Sequence, residues 1–286
     1  MGSTPAISGD RPEFTYRASA TEVRLTFSAV DQNDRGVATL QAGDFAVVDK
    51  GFIVRNFQSF TRTDYTRLEI AILLDSSESL NSNFRKEIAD TVELLSQTSG
   101  VPEENLSLLS FRDGKPLVVC AGNCRSSAAH ELPAARAAGL TPLYDTIVYS
   151  SDFLSHRADS QAEKILVLLS DGRDTVSRHS MDDALHSALV HEIQVYCIDM
   201  GGDDPQSGTL VLRSLANASG GRYLSAQNGA AQAVNLILQG FRSSYVVSYR
   251  LPTHAEGFHD VQILPTHNNS LHFRSRSGYY YPNYTR

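Results

Sequence analysis

Asp75, Ser77 and Ser79 form an Asp-x-Ser-x-Ser run directly after the apolar stretch Ile70-Ala71-Ile72-Leu73-Leu74. A carboxylate and two hydroxyls at alternate positions on one turn are hard oxygen donors, the kind that suit Mg2+, Mn2+ or Ca2+. A second apolar run, Ile165 to Leu169, is followed by Asp171. Thr141 stands just before a helical pattern, so it belongs to a loop. Together Asp75, Ser77, Ser79, Thr141 and Asp171 make a candidate metal site of two carboxylates and three hydroxyls. So few negative charges leave a bound cation electrophilic and still partly hydrated. An anionic oxygen from another molecule can then replace a water.

The competing reading of Asp75 and its serines is a helix N-cap, a position these residue types favour. Thr141 and Asp171 in matching contexts weigh against it. A phosphoryl-transfer hydrolase of the haloacid-dehalogenase type also places an aspartate at a strand end. It needs a second aspartate two residues later, where this chain has Ser77, and a lysine for the phosphate, which neither site loop supplies. No Gly-x-Ser-x-Gly elbow and no Gly-x-Gly-x-x-Gly turn is present. The expectation is a binding module with no catalytic residues; the alternatives are the metal-dependent phosphoryl-transfer hydrolase and a structural module of a cell-envelope assembly with a vestigial site.

The elements that must position these residues alternate β and α. Leu68–Leu74 and Ile165–Leu169 are apolar throughout, as strands are when helices cover both sheet faces. Helical spacing runs through Phe84, Ile88, Val92 and Leu95, then from Pro142 at a first helical position through Leu143, Ile147, Ser150 and Leu154. Ser180 with Asp183 approximates a capping box. Strands at Leu106–Phe111, Leu117–Cys120 and Ile193–Ile198, and helices near 208–218 and 230–241, complete a doubly wound, mostly parallel α/β unit over 66–242. The flanks are β. Alternation at Val23, Leu25, Phe27 and Ala29 predicts a strand; so do Phe45–Val48, with a turn at Asp49-Lys50-Gly51, and Phe52–Phe60. Asp31 to Gly36 reads as a hairpin turn. Tyr245, Val247 and Tyr249, then Val261 and Ile263, then Leu271 and Phe273 repeat the period. Neither flank has enough strands to stand alone. The expected division is a tail over 1–13, one β-sandwich made from 14–64 and 243–286, and the α/β unit inserted between them.

In type, order and context the five ligand candidates resemble the metal-ion-dependent adhesion site of von Willebrand factor A (VWA) domains. Gly139-Leu-Thr-Pro-Leu-Tyr-Asp145 and Leu169-Ser-Asp-Gly-Arg-Asp-Thr175 resemble that family's second and third metal loops. Leu40–Gly51, Tyr245–Tyr249 and Arg276–Tyr279 are similar to a bacterial subfamily, the VWFA-related acidobacterial domain. The resemblance implies that the hydroxyls of Ser77 and Ser79 bind the metal directly, as Thr141 does in some states, and that Asp171 often acts through water. It also implies a protein partner that offers an acidic side chain.

Composition agrees with that class. The chain has 286 residues, 41% hydrophobic and 20% charged, and a net charge of −7. With no cluster of Lys and Arg, nucleic acid is not an expected partner, nor is a small-molecule substrate. No apolar run reaches the roughly 18 residues that span a bilayer. The first ten residues hold no apolar signal core, and Met1-Gly2-Ser3 reads as a recombinant start from which an export signal was trimmed. The expected location is periplasmic, cell-surface or secreted. Cys120 and Cys124 could close a small disulfide loop in an exported protein, although so short a loop strains the bond; that choice stays open. Cys197 reads as a buried core thiol.

Overall fold

The computed structural model describes residues 22–33, 35–75, 101–112, 114–122, 124, 140–159, 162–201 and 205–282. Ser77, Ser79, the helix expected through Phe84 to Leu95 and the tail expected over 1–13 lie outside them.

The central sheet has six strands in the order β10-β9-β8-β5-β6-β7. They are β5 (Leu68–Leu74), β6 (Leu106–Arg112), β7 (Lys115–Ala121), β8 (Glu163–Ser170), β9 (Ile193–Asp199) and β10 (Tyr223–Ser225). All adjacent pairs run parallel except β6 with β7, a hairpin at the edge. Every residue of β5 is buried, because helices cover both faces. Helices α1 (Leu143–Arg157), α2 (Met181–Val190) and α3 (Pro205–Ser219) pack Leu143, Ile147, Ala184, Leu212 and Leu215 against Leu73, Leu166 and Val195. Helix α4 (Ala230–Arg242) packs Val234, Ile237 and Phe241 on the other face, against Ile72, Val167 and Ile198. Alternate residues of each strand thus feed opposite cores. Helix α1 begins at Leu143 with Pro142 as its N-cap, one residue later than the proline pattern predicts. Helix α2 begins with a complete capping box between Ser180 and Asp183.

The flanking strands form two further four-stranded sheets. One has the order β13-β1-β11-β4 and the other β14-β12-β2-β3. Here β1 is Glu22–Val30, β2 Phe45–Asp49, β3 Phe52–Val54, β4 Ser59–Arg62, β11 Ser244–Arg250, β12 Gly257–Pro265, β13 His272–Ser275 and β14 Gly278–Tyr281. Each sheet mixes strands from both chain ends: β1 lies between β11 and β13, and β2 pairs with β12. Their inner faces share one core, in which Phe27, Phe45, Phe60, Tyr245 and Phe273 pack with ring centroids 5.0–6.4 Å apart. The single strand expected over Phe52–Phe60 is two. β3 pairs with β2 and β4 with β11, so the chain changes sheet between them. Asp31 makes the predicted turn, its Oδ1 accepting from Asn33 N and Arg35 N.

Charge pairs join the sandwich to the α/β unit. Arg24 and Thr26 of β1 meet the buried Glu163 at the start of β8, at 2.5 and 2.8 Å. Arg276 reaches Glu192 at 3.4 Å and donates to Arg24 O at 2.8 Å. Burial pushes the Glu163 carboxyl up, and Arg24 and the Thr26 hydrogen bond oppose that shift.

Candidate metal centre

Strand order reverses between β5 and β8. From β5 the chain proceeds outward to β6 and β7, then returns past β5 to lay down β8, β9 and β10 on the other side. Ligands of open parallel sheets collect outside the carboxyl ends of strands at such a switch point. Asp75 leaves β5 there and Asp171 leaves β8.

Asp75 is 1% exposed. Its backbone N donates to Leu169 O at 2.9 Å, which extends the β5–β8 ladder by one residue. Ser170 Oγ donates to Asp75 Oδ2 at 2.6 Å and accepts from Gly172 N at 2.9 Å. Asp171, 8% exposed, accepts from Arg173 N through Oδ1 at 3.0 Å. Thr141 is 4% exposed; its N donates to Thr175 Oγ1 and its O accepts from Thr175 N. Of the five predicted ligands, then, the structure describes three. Asp75 is tied through Ser170 to the loop that carries Asp171, and Thr141 is fastened to the same loop. Ser77 and Ser79 fall outside the described residues.

The loops of Thr141 and Asp171 are cross-tied further. Tyr144 N donates to Asp174 Oδ1 at 3.4 Å and Asp145 N to Ser177 Oγ at 3.1 Å, filling the free amides at the start of α1. Asp145 Oδ1 accepts from Arg178 N, His179 N and His179 Nδ1 at 2.8–2.9 Å. Its carboxylate is committed to holding the loop. Asp174, which reads in sequence as a loose loop charge, is a lock: besides Tyr144 it holds Ser177 N and Oγ. Ser170, Thr175 and Asp174 escape sequence reasoning because their partners are 30 to 95 residues away. The signal for Ser170 is only its place between an apolar strand and Asp171.

The pH response of this lock follows from Asp145. Partial burial raises its carboxyl, but the hydrogen bonds from His179 and Arg178 outweigh that, and the net shift is downward. A depressed folded pKa means that the tie contributes fully above the ordinary carboxylate value. It is lost only as pH falls through the lower folded value, below about pH 4. Hydrogen-exchange protection factors of the Arg178 and His179 amides should stay high at pH 5 and fall only in stronger acid. Low protection already at pH 5 would contradict the lock.

Close backbone packing fixes the third loop. Gly172 has φ +80°, and a Cβ on it would sit 2.3 Å from Gly208 O. A Cβ on Gly208, in the first turns of α3, would sit 2.0 Å from Asp171 O. Gly208→Ala should therefore displace Asp171 and lower divalent-cation affinity about tenfold, whereas Leu210→Ala, at an exposed position of the same helix, should leave it unchanged. Titration calorimetry with Mn2+ distinguishes the two.

The donors are all hard oxygens and fit a hard divalent cation. Among the described residues no three His, Cys, Asp or Glu side chains come together as a ligand group. Elsewhere, Cys120 and Cys124 are joined in a disulfide with Cα atoms 5.4 Å apart, and Cys197 is a buried free thiol. No helix among the described residues is long and apolar enough to cross a membrane.

No protein-family model and no curated protein matches the sequence. Among solved structures, the chain is similar to proximal thread matrix protein 1 from the mussel byssus, at 16% identity and TM-score 0.48 over 62% of this chain. That match spans 47% of the mussel protein. It is also similar to the SpRpn10 VWA domain, at 18% identity and TM-score 0.44 over 60% of this chain and 95% of that one. Manganese-loaded Plasmodium vivax TRAP protein matches at 12% identity and TM-score 0.47 over 82% of this chain and 99% of that one. The strand order, the two helix-covered faces and the loops at the β5–β8 crevice give the central unit the doubly wound, mostly parallel α/β architecture that the resemblance to VWA domains implies.

Proposed function

We propose that this protein is a metal-dependent binding module that captures a carboxylate of a partner protein through a divalent cation, Mg2+ or else Mn2+ or Ca2+. The observation that carries the reading is the buried Asp75 carboxylate at the topological switch point, tied through Ser170 to the loop of Asp171 and, by way of Thr175, to Thr141. Asp75, Ser77, Ser79, Thr141 and Asp171 would hold the cation, which supplies an electrophilic site for an anionic oxygen. The chain's own part is to keep three loops in register. Ser170 orients Asp75, Thr175 orients Thr141, and the Asp145 and Asp174 ties keep both loops from spreading. Nothing in this arrangement requires bond cleavage, and the proposal is of adhesion or assembly without catalysis.

The site of action we propose is exported: periplasmic, on a bacterial cell surface or secreted. The Cys120–Cys124 disulfide supports it, since such bonds persist in oxidising compartments. The test is capture of envelope proteins on immobilised protein in Mg2+ and in EDTA, with Asp75→Ala in parallel. Recovery of the same partner in Mg2+ alone, and not on the variant, is the expected result. Equal recovery in EDTA would sink the reading, and turnover of p-nitrophenyl phosphate that is lost in Asp75→Ala would replace it with a hydrolase.

A further inference from the structure

The loop after β8 brings a cation of its own to the site. Arg173 N is bonded to Asp171 Oδ1, and Arg173 Nε lies 3.9 Å from Asp171 Oδ2 while the side chain keeps 37% exposure. The stem beneath it is the Gly172–Gly208 contact, where no side chain fits. The guanidinium is thus delivered beside a proposed ligand carboxylate by backbone that has no room to drift, yet it faces solvent. Among the described acids of this rim, Asp174 accepts from Ser177 and Tyr144 N, and Asp145 from Arg178 N and His179. In a chain of net charge −7, the rim at 172–180 presents Arg173 and the exposed Arg178 and His179 outward.

A carboxylate carries two oxygens, and a cation with one exchangeable position takes one of them. The other must find a donor or remain in water. We propose that Arg173 is that donor and determines specificity, holding the second oxygen of the partner's carboxylate; the inference rests on the cation site proposed above. The physical reason is geometric. A planar guanidinium offers parallel N–H groups matched to a carboxylate, whereas a bare cation accepts any hard oxygen, an amide carbonyl or water included. Arg173 would make the site select a charged side chain over a neutral one.

The probe is acetate, titrated into Mn2+-loaded protein. Relaxation of its methyl protons reports acetate at the paramagnetic ion, and electron paramagnetic resonance of free Mn2+ reports metal affinity separately. Arg173→Ala should weaken acetate binding about tenfold, the scale of a charge-assisted hydrogen bond, with Mn2+ affinity equal or higher because a nearby positive charge is gone. Arg173→Lys keeps the charge but not the planar fork, and should restore only part of the acetate affinity. An alanine variant that binds acetate within about twofold of the parent at equal Mn2+ loading overturns the proposal, as does a parent that shows no acetate effect. A parent that binds no Mn2+, or an Asp75→Ala variant that binds it equally well, removes the cation site itself. The resonance signal shows that failure without any acetate present.

Discussion

Asp75→Ala should abolish the response of this protein to divalent cations, lowering affinity by at least about 100-fold. Loss of a group that merely orients a ligand typically costs 10–100-fold, and loss of a ligand costs more. Asp75 is the most deeply buried of the described donors, and Ser170 fixes its orientation. The fold should survive, because the contact that aligns β5 with β8 at this point is made by Asp75 N, which alanine retains. The decisive measurement is thermal unfolding with and without Mg2+. A ligand that binds only the folded state stabilises it by RT ln(1 + [L]/Kd), about 2.7 kcal/mol at 100 times Kd. The parent protein should gain stability as Mg2+ or Mn2+ is raised and Asp75→Ala should gain none. Identical Mg2+-dependent shifts in the two proteins would remove Asp75 from the site.

Asp49→Ala should cost about 3–5 kcal/mol of stability, the scale of breaking a buried pair by removing one member. Asp49 and His259 are completely buried in the sandwich, with Tyr249 and Tyr279 against them. Asp49 Oδ2 accepts from Tyr249 Oη at 2.9 Å and from Tyr279 Oη at 2.7 Å, and Oδ1 lies 3.2 Å from His259 Nδ1. His259 Nε2 bonds Ala255 O at 2.7 Å. Burial pushes both phenols upward in pKa, with Asp49 adding to the shift, so they remain protonated donors across the physiological range. Alanine would take away the carboxylate to which both hydroxyls donate, in a site buried from water, and leave Tyr279 Oη with His259 Nδ1, 3.1 Å away, as its partner. Tyr249→Phe removes one donor and leaves Asp49 two partners, so it should cost only about 1 kcal/mol. Guanidinium unfolding followed by circular dichroism ranks these variants. A loss below about 1 kcal/mol for Asp49→Ala would mean that the network is incidental.

This network marks where the sequence stops being legible. Asp49-Lys50-Gly51 has the composition of a turn, and the turn is there, with Lys50 and Gly51 in the left-handed region. Yet Asp49 itself ends β2 with its side chain in the core. Its partners come from β11, β12 and β14, about 200 residues later. Nothing local distinguishes a turn aspartate from one that three distant strands will enclose. The break between β3 and β4 was hidden for a related reason. Phe52, Ile53, Val54, Phe57 and Phe60 carry an apolar, strand-like character across the break, and the positions of β2 and β11 decide that the chain crosses between sheets.

The central unit was far more readable, because its signals are short-range. An apolar run with no polar face requires cover on both sides, and a cap such as Ser180 with Asp183 lies within one helical turn. The end of β5 at Leu74, the apolar run Ile165–Leu169 within β8, helix α1 and the candidacy of Asp75, Thr141 and Asp171 all follow from residues within a few positions of one another. By itself the sequence determined which residues could offer hard oxygens and which runs must be buried strands. Tertiary structure alone decided that β8 returns to lie beside β5, which places Asp75 and Asp171 at one crevice, and that Ser170, Thr175 and Asp174 hold the loops there. Strand order depends on long-range pairing whose free energy belongs to the whole sheet and is written in no single segment.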